Sequence, residues 1–202
     1  DDQGVPVKIS IKGPGVVIAK TTGPGAGSIK RLKILGTTLR SSVKITTPRD
    51  LETTLGEVFL PGFLKNFIAP TTDLAGHFIA HGVVRKLVMD DVAGERIIDI
   101  GLGYLMSHTV TAVFDQIADL SFRSAMPIKL FKATNWHDPS PGFDDEVIAP
   151  SIKQLKITDD FDANVTLTGI VATSSGTFAI NRVLGKTRIG GNVTDALWRV
   201  GG

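Results

Sequence analysis

The chain repeats a short pattern in which apolar residues at fixed positions enclose exposed cations. The first copy, S-I-K-R-L-K-I at residues 28–34, has apolar residues at Ile29, Leu32 and Ile34. Further copies lie at 62–69, 82–89, 126–133, 150–157 and 178–185. Such alternation is typical of strands with one buried face. We therefore expect burial of Ile29, Leu32, Ile34, Leu87, Ile152, Leu155 and Ile157.

The spacing of the copies predicts stacked coils. Their first apolar residues, at 29, 64, 84, 128, 152 and 180, are separated by 35, 20, 44, 24 and 28 residues. A unit of about 20 to 28 residues fits one coil of a parallel β-helix or a leucine-rich repeat, and the long gap fits two coils. A leucine-rich repeat needs a helix-compatible half and a recurring Asn or Cys, so the β-helix is favoured.

The predicted fold is all-β, a single β-solenoid domain over residues 1–202. We expect a single-stranded right-handed parallel β-helix of about eight or nine coils stacked at roughly 4.8 Å. Residues 1–27 are expected to form an N-terminal β-hairpin cap, because two alternating stretches flank the turn K-G-P-G at 12–15. A cap would cover the unpaired backbone of the first coil.

Composition agrees with a folded, strand-rich chain, with 42% hydrophobic residues, 22 Gly, 10 Pro and a formal charge of +2. No apolar run is long enough to predict a membrane span. No charged and apolar leader opens the chain, so a secretion signal is expected to be absent or removed. The absence of Cys excludes disulfides and thiolate chemistry, and it leaves the compartment undecided.

The phrases S-I-K-x-L-x-I, A-P-T-T-D-L-A-G at 69–76, A-P-S-I-K-Q-L-K-I at 149–157 and I-G-G-N-V-T at 189–194 are similar to the Gly-rich parallel β-helical repeats of very large secreted or surface proteins of bacteria. The resemblance covers most of the chain. It implies an extracellular or cell-surface location, a structural or adhesive role and no catalytic residues. The chain departs from those repeats at His77, Phe78 and His81, where they usually carry small polar residues.

Known catalytic and cofactor motifs are incomplete. G-K-T at 185–187 lacks the Walker glycine, G-L-G at 101–103 lacks the third glycine of a dinucleotide turn, and S-x-x-K at 41–44 lies in a predicted strand. His77 and His81 would be about 13 Å apart on a strand, too far for one metal ion. We predict no catalytic residue, no cofactor and no metal.

Residues 135–146 form the longest irregular stretch and predict a loop that protrudes from the coils. Functional residues often lie on loops of a rigid scaffold. Acidic clusters at turns favour local backbone hydrogen bonds, with Ca²⁺ binding or acid/base chemistry as the alternative. The candidate binding residues are Trp136, as a sugar-stacking ring, with His137, Asp138, Asp144 and Asp145.

Cations recur at one outward position of the pattern. Residues at equivalent places in successive coils stack, so one basic file is expected along one face. Its members are Lys30, Lys65, Arg85, Lys129 and Lys153. A parallel second file is expected at Lys33, Lys132 and Lys156. The small net charge favours compensation by Asp90, Asp91, Asp159 and Asp160. The alternative is a track for an acidic polysaccharide or another anionic polymer.

Two functions from different classes stay open. The first is a non-enzymatic extracellular structural or adhesive segment. The second is a carbohydrate-active β-helix, either like a polysaccharide lyase or glycosidase or binding polysaccharide, and a cleft lined by Asp, Arg and aromatic residues would favour it. Expected partners are a polysaccharide or another surface protein, with no nucleic acid. Oligomers through end or side contacts are compatible with the pattern.

Overall fold

A computed structural model describes residues 1, 3–23, 28–49, 51–101, 108–140, 142–173 and 176–201. Within these ranges the regular structure is β-strand and no helix occurs, which confirms the all-β prediction. In chain order the strands are β1 (Lys8–Lys12), β2 (Val16–Thr21), β3 (Ile29–Leu35), β4 (Ser42–Thr46), β5 (Thr53–Leu60), β6 (Leu64–Ala69), β7 (Thr72–Leu74), β8 (Phe78–Ala80), β9 (Val84–Met89), β10 (Arg96–Ile100), β11 (Val110–Val113), β12 (Gln116–Ala118), β13 (Leu120–Ser124), β14 (Ile128–Ala133), β15 (Asn135–His137), β16 (Glu146–Ala149), β17 (Ile152–Ile157), β18 (Asn164–Leu167), β19 (Ile170–Thr173), β20 (Gly176–Ala179), β21 (Leu184–Ile189) and β22 (Trp198–Val200).

Two large mixed sheets hold most of these strands. Sheet 1 has the order β1-β4-β6-β9-β11-β14-β17-β21, and sheet 2 the order β2-β3-β5-β8-β10-β13-β16-β18-β22. All neighbours pair in parallel except at one end of each sheet. There β1 pairs antiparallel with β4, and β2 pairs antiparallel with β3. A third column of short parallel pairings includes β5–β7 and β12–β15. Parallel pairing between successive repeats is compatible with a β-solenoid.

The N-terminal strands do not form the predicted hairpin. β1 pairs with β4, with Ile9 opposite Ile45, whereas β2 pairs with β3, with Val17 opposite Ile34. No pairing joins β1 to β2 among the described residues. The turn between them includes Gly13 at a φ of 90°, and it directs the two strands to different sheets. A capping role for residues 1–27 stays a prediction.

The core lies between the sheets, and the pattern predicted its members correctly. All seven residues expected to be buried are buried, with Ile29 the most exposed at 5%. The interior also contains a file of aromatic rings whose neighbouring centroids lie 5.1 to 5.9 Å apart. Full burial of one large apolar side chain stabilises the fold by about 1.5 to 3 kcal/mol. The file consists of the buried residues Phe122, Phe131, Trp136 and Phe161 and of the partly buried Trp198.

Two copies of the pattern do not stack as expected. Ile29 lies in β3 of sheet 2, whereas the copies from residue 62 to residue 157 lie in sheet 1. Leu184, and not Ile180, pairs with Ile152, because the antiparallel hairpin β19–β20 is inserted before β21. Within the long gap, β11 pairs in parallel with both β9 and β14, which is compatible with the prediction of two coils there.

Candidate functional site

The predicted sugar platform at Trp136 is wrong. Trp136 lies in β15, is fully buried, and stacks on Phe131 at a ring-centroid distance of 5.4 Å. Its indole Nε1 donates a hydrogen bond to Asp145 Oδ1 at 2.6 Å. Because this bond satisfies the only polar atom of the ring, the ring can be buried at little cost.

The other candidates from residues 135–146 separate. His137 and Asp144 are exposed, and His137 Nδ1 lies 3.2 Å from Asp162 Oδ2. Asp138 and Asp145 instead come together with Asp119, which the sequence reasoning did not single out. The hairpin β19–β20 forms a sheet of its own outside the two large sheets, and the side chains described in β20 are all exposed. That residues 135–146 form the main protrusion stays a prediction.

The outward side of sheet 1 is strongly basic. Its seven parallel strands contain ten Lys or Arg residues and no Asp or Glu. We call these ten cations the basic face: Lys44, Lys65, Arg85, Lys86, Lys129, Lys132, Lys153, Lys156, Lys186 and Arg188.

The register brings together four members of the predicted basic file. Lys65 and Arg85 follow the paired residues of β6 and β9, and Lys129 and Lys153 follow those of β14 and β17. Lys30 lies in β3 of sheet 2, so its assignment to the same file is corrected.

The second predicted file changes in the same way. Lys132 pairs with Lys156, and Lys156 pairs with Arg188 in the next strand. Lys33 lies in sheet 2 and is not part of this row. The row therefore gains Arg188, which the pattern did not identify.

No member of the basic face forms an ion pair within the described part of the chain. The ion pairs seen there are Arg31–Glu57 and Arg123–Glu146 on sheet 2, and His137–Asp162. The acids expected to offset the cations follow the ends of β9 and β17. Two of them bond to the backbone of the next coil: Asp91 Oδ1 accepts from Gln116 N at 2.9 Å, and Asp160 Oδ1 accepts from Asn192 N at 2.7 Å.

The acidic corner beside the basic face crowds like charges. The pKa of Asp90 is raised to about 6, mainly by burial and in addition by the charges of Asp91, Glu52, Asp73 and Asp115, in that order. Burial also raises the pKa of Asp73. The cations of the basic face and the acids of this corner therefore lie on neighbouring surfaces and are not interspersed.

A groove of about 630 Å³ opens where the hairpin β19–β20 approaches the basic face. Val171 and Ile180 contribute apolar surface to it. Phe178 is 54% exposed and lies opposite Val171 in the hairpin, so the two side chains share one side. Four cations line the groove, and they are Lys129, Lys153, Arg182 and Lys186.

Sequence reasoning missed Arg182, Lys186 and Phe178. The stretch containing Phe178 was assigned to a coil because it alternates, and alternation does not distinguish a coil strand from an inserted hairpin. Lys186 was considered only within an incomplete phosphate motif. Lys186 pairs with Gln154 of β17, and this pairing places Lys186 on the basic face.

No protein-family model, curated protein or solved structure matches the chain. The resemblance to Gly-rich bacterial repeats therefore stays an expectation carried by the short phrases. Within the described residues, no helix is long and apolar enough to span a membrane.

Proposed function

We propose that this chain is a non-enzymatic, extracellular or cell-surface β-solenoid that binds an acidic polysaccharide along the basic face. The observation that carries the proposal is a row of stacked cations with no acidic residue among them and, within the described residues, no ion pair to them. Like charges on neighbouring strands repel, so the row costs stability in the free protein. An anionic polymer lying across the strands would offset that cost.

The finer architecture is part of the same proposal. The strands form one right-handed parallel β-helix of about eight or nine coils, with a cap at residues 1–27. Support comes from the recurring chain order, in which a strand of the third column is followed by one of sheet 2 and then one of sheet 1, as in β7, β8 and β9. Stacked coils would place equivalent cations about 4.8 Å apart along the helix axis.

The groove suggests where a sugar polymer is held most firmly. Its cations would contact carboxylates or sulfates, and its apolar wall with Phe178 would contact the apolar face of a sugar ring. We do not propose cleavage of the polymer. Trp136 is buried, and Asp145 is 3% exposed and bonded to it within the fold, so neither is available to a bound sugar.

The test is binding of fluorescently labelled polygalacturonate, measured by anisotropy between 50 and 500 mM NaCl. We expect affinity to fall at least about tenfold over this range, because surface charge contacts are screened within about 10 Å at 0.1 M salt. The double variant Lys129→Gln/Lys153→Gln should weaken binding at low salt by at least about fivefold, since exposed charge contacts contribute up to about 1 kcal/mol each.

The matched control is Lys30→Gln/Lys33→Gln, which removes the same charge from sheet 2. It should leave the affinity nearly unchanged. Equal weakening by the two double variants would show that binding follows net charge alone and would contradict the proposed face. Equally tight binding of neutral dextran, or tighter binding of duplex DNA, would contradict an acidic polysaccharide as the ligand class.

A further inference from the structure

Three carboxylates from separate segments converge at one corner of the fold. Asp119 lies between β12 and β13, Asp138 follows β15, and Asp145 precedes β16. One carboxylate oxygen from each lies within 4.8 Å of the others. Asp119 and Asp145 are each 3% exposed, and Asp138 is half-buried. The cluster is therefore part of the interior and is not a solvated acidic surface.

One oxygen in this cluster has no hydrogen-bond partner. Asp145 Oδ1 accepts from Leu120 N at 2.8 Å and from Trp136 Nε1 at 2.6 Å. Asp145 Oδ2 is fully buried and has no donor among the described residues. A buried carboxylate oxygen without a partner is costly, so such an atom indicates a ligand.

The donors in the loop do not supply that partner. Ser140 N lies 3.2 Å from Asp119 Oδ1 and 3.1 Å from Asp138 Oδ1, and Ser140 Oγ donates to Asp119 Oδ2 at 2.9 Å. These bonds connect Ser140 to both Asp119 and Asp138. They leave Asp145 Oδ2 without a donor.

The electrostatics of the cluster favour a cation. The carboxylates of Asp138 and Asp119 lie beside the buried carboxylate of Asp145, where a charge without a partner is costly. The neighbouring charges that act on Asp145 are thus negative. Carboxylates confined in this space favour a positive counter-charge.

We propose that Asp119, Asp138 and Asp145 bind a divalent cation, with Ca²⁺ as the ion of best fit. The three side chains provide only carboxylate oxygens, and hard oxygen ligands favour Ca²⁺ or Mg²⁺ over softer metals. Ca²⁺ takes oxygens at about 2.3 to 2.6 Å in flexible geometry, so two ligands on one ion are at most about 5 Å apart. The oxygen separations here meet that limit.

Bound Ca²⁺ would have a structural effect that is independent of polysaccharide binding. It would tie the loop from Asp138 to Asp145 more firmly onto the chain around Asp119, to which the bonds of Ser140 with Asp119 and of Asp145 with Leu120 already connect it. It would also fix the carboxylate that holds the Trp136 indole.

The experiment uses Tb³⁺ as a luminescent substitute for Ca²⁺ at pH 7.5, with metal-free protein that carries Trp198→Phe. Trp136 is then the only tryptophan, and its position beside Asp145 should sensitise Tb³⁺ emission that excess Ca²⁺ suppresses. At 10 mM Ca²⁺ the thermal midpoint should rise by about 5 °C or more if Kd is near 0.1 mM.

Two variants and one control decide the assignment. Asp145→Asn keeps an oxygen for Trp136 and Leu120, and Asp138→Asn changes a half-buried position, so at least one should fold. Each should weaken Ca²⁺ binding at least tenfold. Asp144→Asn, an exposed neighbour outside the cluster, should leave binding unchanged.

Three results would overturn the proposal. The first is absence of both sensitised emission and a thermal shift in the parent protein. The second is equal weakening by Asp144→Asn, which would indicate diffuse binding to surface acids. The third is undiminished binding in a folded Asp138→Asn or Asp145→Asn variant, which would place the ion at another acidic group.

Discussion

Lys156→Glu should stabilise the free protein while weakening its binding to an anionic polymer. Lys156 lies directly between Lys132 and Arg188 in the register of sheet 1. The three strands are spaced at about 4.8 Å, so each neighbour presents a like charge at close range. Replacing the central cation by a carboxylate converts two repulsive contacts into two attractive ones.

The magnitude follows from the number of contacts. A cross-strand charge pair contributes roughly 0.2 to 1 kcal/mol in either direction, so reversing two contacts should raise the free energy of unfolding by about 1 to 4 kcal/mol at low salt. In a domain of this size, that gain corresponds to a rise of roughly 2 to 16 °C in the thermal midpoint. Lys156→Gln removes the repulsion without adding attraction and should give about half the effect.

The assay is urea unfolding at 20 mM and 500 mM NaCl, together with polygalacturonate binding at low salt. The gain in stability should shrink at high salt, where screening acts within a few ångströms. Lys12→Glu is the matched control, because Lys12 lies opposite the neutral Ser42, and its effect should stay within about 0.5 kcal/mol. A loss of stability for Lys156→Glu at low salt, or a gain that is equal at both salt concentrations, would refute the stacked row of cations.

Two further predictions concern packing and pH. Gly185→Ala should destabilise the protein by about 1 to 3 kcal/mol in urea unfolding, because the new Cβ would lie 2.1 Å from the carbonyl oxygen of Lys153; an unchanged midpoint would contradict that close approach. Asp90→Asn should raise the thermal midpoint at pH 7.5 in EDTA, with a gain that vanishes towards pH 4. Because the pKa of Asp90 is raised to about 6, proton binding by Asp90 stabilises the folded protein below about pH 4, and this stabilisation is lost as pH rises through 6. An equal gain from Asp90→Asn at both pH values would contradict this linkage.

The buried apolar positions could be predicted because the copies of the pattern repeat the same alternation of apolar and polar residues. Leu32, Leu87 and Leu155 occupy the same place in three copies, and each is fully buried. Apolar periodicity reports which side of a strand faces the core, and that is a local property of sequence. The parallel pairing of successive copies followed from their spacing.

The sheet to which a copy belongs could not be predicted from the pattern. Strand β3 shows the burial order of β9 almost residue for residue, although β3 lies in sheet 2 and β9 in sheet 1. Lys30 and Arg85 therefore look equivalent in sequence and lie on different faces. Only the pairing partners distinguish them, and these are determined by the lengths of the intervening corners.

The candidate binding residues failed for a different reason. The turn formers around Trp136 indicated an exposed loop, but burial of an indole depends on a partner for its N–H group. Asp145 is that partner, nine residues later in the chain. A hydrogen bond between the two ends of a loop leaves no periodic pattern in the sequence. The sequence alone therefore predicted an exposed ring at Trp136.

The net charge of +2 concealed the separation of charge because it is a sum over the whole chain. Around sheet 1 the fold places the two signs in different positions. Outward positions in sheet 1 carry Lys and Arg, whereas the corners that follow β9 and β17 carry Asp, whose oxygens accept backbone hydrogen bonds from the next coil, as in Asp91 and Asp160. Because Asp91 and Asp160 form these hydrogen bonds, they are not available to neutralise the basic face. An anionic polymer would therefore be attracted to sheet 1 and repelled at its acidic border, which would confine the polymer to the direction in which the coils stack.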